Sequence, residues 1–180
     1  MSTLKPIDLL VALKILTIDK HWTQMELASK LCISSSQVNS AIKVLVAAKL
    51  LLIQGSRNLP IVNSLEEFVL YGVKYCFPVK VGELTIGIPT AHAAAPLSKE
   101  LVNNTDPLPV WPYANGEARG LALEPLHKNV PKALHDFPDQ ELFDYLVLID
   151  ALRIGRAREK NIATKLLQQL FAQKRNSKIE

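Results

Sequence analysis

The 180-residue chain is 48% apolar, 21% charged and 6% aromatic, a balance that supports one medium or two small packed domains and fits a globular chain better than a disordered one. No stretch approaches the roughly 18 apolar residues of a membrane span, and the N-terminus lacks the charged start, apolar core and cleavage site of a signal peptide, so a cytoplasmic protein with no membrane partner is expected. The net charge of +4 is uneven: residues 1–77 carry eight Lys/Arg against five Asp/Glu, residues 78–152 five against ten, and residues 153–180 eight against two.

Basic ends around an acidic middle point to a polyanion for the ends and to a protein partner or intramolecular pairing for the middle, unless the charges simply line solvated faces. Residues 6–18 carry Ile7, Leu10, Val11, Leu13, Leu16 and Ile18 mostly at helical spacing, with Leu9 and Ile15 widening the stripe and Pro6 in a tolerant first-turn position. This spacing predicts a first helix. Thr23, with Glu26 three residues on, forms a capping box for a second helix carrying Met25, Leu27, Ala28 and Leu31. Ser34 or Ser35 caps a third, running to about Lys49 with Val38, Ala41, Ile42, Leu45 and Val46 on one stripe.

The apolar run at residues 50–53, a GSRN turn, and Leu59, Ile61 and Val62 predict a two-stranded hairpin, with Pro60 tolerable on an edge strand. Ser64 caps a further helix that carries Phe68, Val69 and Val73 toward Phe77. From Pro78 to about Leu126, prolines, short apolar runs such as LTIGI and GLALEPL, and the turn material YANGEARG predict short strands and ordered loops, with no long helix. Helical periodicity returns at Asp139, with Leu142, Phe143, Leu146, Ile149 and Leu152 on one side, and continues after Gly155 through Ile162, Leu166, Leu167 and Leu170. The tail QKRNSKIE is expected to fray. The expected fold class is α+β and mainly helical, with residues 1–77 as one domain and residues 78–180 as a C-terminal module. That module has strands and loops over 78–137, helices over 138–174, and a role in dimerisation or partner binding.

Three helices with a tight turn between the second and third, then a hairpin, are the ingredients of a winged helix-turn-helix. The stretch QMELASKLCISSSQVNSAIKVL, residues 24–45, resembles the helix-turn-helix of the winged-helix transcriptional regulators. Ala28 falls where that family keeps a small residue for close packing, Ile33 where it places the apolar residue after the turn, and Val38 and Ile42 where it anchors the recognition helix. Cys32 departs from the pattern, standing in a turn position usually given to glycine, where a positive φ strains it by about 1 kcal/mol or more. Cys32 and Cys76 have no CxxC or Cys/His spacing and are expected to be reduced, buried thiols.

The resemblance covers residues 5–62. It implies a transcriptional regulator, a repressor or an activator, that binds double-stranded DNA without a cofactor. The recognition helix, at about residues 35–48, enters the major groove, and the hairpin wing near residues 54–58 lies on the backbone. With Val38, Ala41, Ile42 and Leu45 inward, Ser35, Ser36, Gln37, Asn39 and Ser40 are the base-contact candidates, because short hydroxyls and amides reach base edges and Gln or Asn pairs bidentately with adenine. Thr23, Lys30, Lys43 and Arg57 are the phosphate-contact candidates. His21 and Trp22 either touch phosphate or cover the core, and packing is the expected role of Trp22.

No GxSxG, HExxH, Walker or GxGxxG pattern suggests an enzyme. His92, in the small-residue run IPTAHAAAPL, is expected to be a hydrogen-bonded loop histidine, with His127 and His135 further on. The acids of DFPDQELFD read as a helix N-terminal cluster and not as a metal site, and no metal is expected. Arg153, Arg156 and Arg158 form a positive cluster whose expected role is pairing within the chain or with a partner. The expected function is sequence-specific duplex binding as a homodimer, since half-site pairing adds specificity to a small reading head. The alternative is a protein-interaction module, similar in outline to the winged-helix antitoxins or phage-defence partners, in which the helices dock a protein and the proline-rich middle wraps one.

Overall fold

Proline at its first position and Asp8, whose carboxylate accepts from the Lys5 backbone N–H at 2.8 Å, start helix α1 (Pro6–Thr17). The computed structural model describes residues 3–18, 21–101 and 107–177, and the fold is α+β and mainly helical. Every residue of α1 from Asp8 to Thr17 is buried, so α1 is a core helix and not a surface one.

Helix α2 (Gln24–Leu31) begins with the expected capping box: Thr23 Oγ1 accepts from Glu26 N at 3.2 Å, and Glu26 Oε2 accepts from Thr23 N at 2.8 Å. Ser34 and Gln37 repeat the device at the start of α3 (Ser35–Ala47), which packs on α1 and α2 and buries Val38, Ala41, Ile42 and Leu45. Met25, counted with the apolar residues of α2, is 76% exposed. α3 stops short of Lys49, which turns the chain with φ +58°. Strands β1 (Leu51–Gln54) and β2 (Arg57–Pro60) then pair antiparallel, from Leu51 opposite Pro60 to Gln54 opposite Arg57. Gly55, at φ +60°, supplies the left-handed position that a two-residue hairpin turn needs.

The next helix begins before Ser64, contrary to expectation: α4 (Val62–Glu67) has Ile61 at its cap, with no side-chain bond. It passes through a π-helical turn, Phe68–Gly72, into α5 (Val73–Cys76). Both cysteines are free, but Cys76 is exposed and Cys32 half-buried, so the expected pair of buried thiols is not found. β3 (Val81–Pro89), β4 (Pro109–Pro112) and β5 (Ala118–Leu123) close on one another, β3 antiparallel to both and β4 parallel to β5. The closure requires glycine at Gly87, where a Cβ would stand 2.0 Å from the Trp111 carbonyl oxygen. Between β3 and β4 lie a 3-10 turn (Ala91–Ala93) and the short α6 (Leu97–Glu100).

A helix also appears where strands and loops were expected: α7 (Val130–Asp136). At seven residues, with only Val130, Pro131 and Ala133 buried, it is too short to display a helical period. Helix α8 (Gln140–Ile154) is capped by Asp139, whose Oδ1 accepts from Leu142 N at 3.0 Å. Its burial is not one-sided, because every residue from Tyr145 to Leu152 is covered, by α1, α5 and helix α9 (Ala157–Asn176) among others. α9 runs through the first half of the tail expected to fray, as far as Asn176, and residues 178–180 lie outside the described residues.

One hydrophobic cluster extends from Leu9 to Phe171. Polar contacts cross the same ground. Lys14 Nζ pairs with Asp139 Oδ2, which also accepts from Thr17 Oγ1 at 3.2 Å. Burial pushes the Asp139 carboxyl up, but the Leu142 N–H and the Lys14 ammonium outweigh it and hold the group below the usual aspartate range. Asp150, 1% exposed, accepts from Thr90 Oγ1 at 2.8 Å, Trp111 Nε1 at 2.6 Å and Arg153 Nη1 at 2.8 Å. Arg153 also donates to the Phe77 carbonyl at 2.9 Å and the Glu124 carbonyl at 3.2 Å. Burial pushes the Asp150 carboxyl up, opposed by the Arg153 guanidinium and the Thr90 and Trp111 donors. No helix among the described residues is long and apolar enough to cross a membrane.

Candidate nucleic-acid interface

The turn between α2 and α3 is made by Cys32, left-handed at φ +53° and ψ +40°. Ile33 N donates to the Ala28 carbonyl at 3.0 Å, closing the end of α2 in the way a glycine ordinarily does. The turn keeps the left-handed geometry despite the missing glycine, at a cost of about 1–2 kcal/mol. Ile33 packs against the core. The Cys32 carbonyl accepts from Asn129 Nδ2, just ahead of α7.

On α3 the residues Ser36, Ser40, Lys43 and Ala47 fall opposite the buried stripe, and all four are exposed. Their spacing of four, three and four keeps them on one face. Ser35 and Gln37 are exposed beside them. Gln37 Oε1 accepts from Ser34 N at 2.9 Å and from Ser34 Oγ at 3.1 Å. The cap uses only that oxygen, so the amide NH2 is the part of Gln37 available to a ligand. Asn39 is half-buried and donates to Gln24 Oε1 at 3.3 Å, tying α3 to the start of α2. Ser35, Ser36, Gln37 and Ser40 therefore share one surface, and Asn39 belongs to the packing between helices.

Among the expected phosphate contacts, Thr23 has its hydroxyl and its N–H both committed to Glu26. The Thr23 backbone N–H holds the Glu26 carboxylate below its ordinary range, a fixed negative charge at the start of α2. Lys30, Lys43 and Arg57 are exposed. Arg57 opens β2 directly after the hairpin turn and lines a cavity of about 690 Å³ with His21, Trp22, Leu59 and Lys174. Trp22 packs against the core, as expected, and His21 is exposed.

Arg153 is withdrawn from the surface, its side chain 4% exposed in the Asp150 cluster, which is the pairing within the chain that its spacing suggested. Arg156 N donates to Glu159 Oε2 at 2.8 Å, capping α9, and Arg158 is exposed. His92 is not a hydrogen-bonded loop histidine: neither ring nitrogen has a hydrogen bond, and Nδ1 stands 3.9 Å from Glu159 Oε1. His135 lies 2.9 Å from Asp136 and packs on the Tyr113 ring. His127 Nδ1 accepts from Asn129 N at 3.3 Å, and burial holds its pKa below the ordinary histidine value. No group of three His, Cys, Asp or Glu side chains suited to a metal occurs among the described residues.

The role of Asn129 carries no local signal, because its partner lies 97 residues away. Gln24 was missed for a different reason: its bond to Asn39 joins two helices whose packing angle a sequence does not display. Comparison of the chain with protein-family models, curated proteins and solved structures finds no match.

Proposed function

We propose that the first three helices and the hairpin form a winged helix-turn-helix that binds double-stranded DNA sequence-dependently, as a transcriptional regulator. The observation that carries this reading is the outward face of α3, where Ser36, Ser40 and Lys43 stand exposed with no acidic side chain on the helix. In groove docking, residues from the start of the second helix meet base edges while flanking cations meet phosphates. Serines are short enough to bring the helix backbone close to the groove floor, and they bond to either base type. Gln37, its carbonyl committed to the cap, offers N–H donors that suit acceptors such as purine N7 or thymine O4, and bidentate pairing with adenine requires the cap to open. Lys30, Lys43 and Arg57 supply phosphate contacts. Two heads on adjacent half-sites make the working unit a homodimer.

Titration of the purified protein with a labelled mixed-sequence duplex tests the reading. Binding at about 50 mM salt that weakens steeply as salt rises supports it, and no binding at that salt overturns it.

A separate observation favours a protein partner on the C-terminal half. Val81, Leu84 and Ile86 of β3 are 50%, 58% and 53% exposed, apolar side chains within the acidic middle of the chain. A stoichiometric protein that co-purifies, with no duplex retained at low salt, selects this reading over the first.

A further inference from the structure

Helix α7 lies across α2. It is anchored by buried Leu126, Val130, Pro131 and Ala133, and its approach is fixed at two points. Asn129 Nδ2 donates to the Cys32 carbonyl, and Asn129 N donates to His127 Nδ1 at 3.3 Å. The first bond satisfies a carbonyl at the end of α2 that has no partner within the helix. The second needs a neutral His127 as acceptor, and burial together with the adjacent Lys128 cation favours that form.

The consequence is positional. Lys128 is exposed, and its Cα is one peptide step, about 3.8 Å, from that of the residue bonded to the turn. Lys132 is exposed in the first turn of α7, the helix that packs against α2. The neighbouring acids in sequence are Glu124 and Asp136, and Asp136 is engaged by His135 at 2.9 Å. Lys30 lies two residues before Cys32 and is exposed as well. Lys30 and Lys128 thus stand close in the chain to the residues that make and hold the turn from which α3 departs, and Lys132 stands on the helix packed against α2. In helix-turn-helix docking the first helix of the motif, here α2, crosses the DNA backbone.

We propose that Lys128 and Lys132 are phosphate contacts that extend the duplex-binding surface beyond the N-terminal helices, held beside the α2–α3 turn by Asn129. The inference rests on the duplex-binding reading above. It makes the C-terminal half part of the reading head and not only a partner-binding or dimer-forming appendage.

The test uses the full chain and a labelled mixed-sequence duplex titrated over a series of salt concentrations. Each phosphate contact adds about 0.9 to the slope of log affinity against log salt, so Lys128→Gln with Lys132→Gln should flatten the slope by about 1.8. Lys165→Gln on α9, exposed and remote in sequence from the turn, should leave the slope at the wild-type value, and sequence selection with the double variant should recover the wild-type motif. An unchanged slope in the double variant, beside a flattened one in Lys43→Ala, overturns this inference and leaves the duplex reading standing. A wild-type protein that binds no duplex overturns both.

Discussion

Asn129 donates its side-chain N–H to the carbonyl of Cys32, the residue whose left-handed backbone turns α2 into α3. A contact 97 residues apart in sequence therefore helps to set the direction in which α3 leaves the fold. Replacing Asn129 with alanine removes the donor and leaves a half-buried carbonyl without it, which should cost about 1 kcal/mol in urea unfolding. A variant as stable as the wild type would show that the bond does not support the turn.

Cys32 itself is strained. Glycine adopts φ +53° without steric cost, whereas a β-branched residue there is a genuine outlier. Cys32→Gly should gain about 1 kcal/mol, or roughly 2–4 °C in Tm for a chain of this size, and Cys32→Val should lose at least as much. Thermal unfolding of the three proteins checks the order Gly, Cys, Val, and a glycine variant less stable than the wild type contradicts it.

The Asp150 cluster joins the strands to α8 in a place that water does not reach. Asp150→Ala would leave the Arg153 guanidinium, 4% exposed, without its counter-charge. Removing one partner of a buried pair typically costs about 3–5 kcal/mol. A loss below about 1 kcal/mol in equilibrium unfolding would mean that water or a relaxed side chain replaces the carboxylate.

Acid should loosen the link between α1 and α8. Asp139 is held below the usual aspartate range in the folded protein. The stability it contributes is therefore complete above the unfolded value of about 3.9 and is lost as pH falls through the lower folded value. Burial pushes Asp8 and Asp144 up, and they act in the opposite sense, so comparison with Asp139→Asn isolates the one group. The variant keeps a capping side chain but loses the partner of Lys14. It should be less stable than the wild type at pH 7 and converge with it as pH falls below about 4. Parallel stability curves down to that pH would contradict the assignment.

Local chemistry made the N-terminal elements legible before the structure. The Thr23 and Ser34 caps and the buried stripe of α3 act within a few residues and are where their spacing places them, while of the GSRN turn only Gly55 and Ser56 turn and Arg57 and Asn58 pair in β2. In the C-terminal half the period of α8 was legible, but the decisive contacts are distant: α1, α5 and α9 cover it from Tyr145 to Leu152, so its burial is wider than the one stripe its spacing shows. α7 was invisible for its shortness, and the pairing of β3 with both β4 and β5 has no periodic signature. The candidate surface was legible in outline, through Ser36, Ser40 and Lys43. The Thr23–Glu26 cap was legible too, whereas the commitments of Gln37 to Ser34 and of Asn39 to Gln24 depend on side-chain geometry that spacing does not carry.

The measurement that bears most directly on the duplex reading is selection of bound sequences from a random duplex pool by the full chain. The wild type should enrich a defined motif. The Ser36→Ala, Gln37→Ala and Ser40→Ala triple variant, which keeps every cation, should retain affinity for mixed duplex within a few-fold while losing preference at several adjacent positions. Recovery of the same motif by the triple variant, or no enrichment by the wild type, would contradict the assignment of α3 as the reading helix.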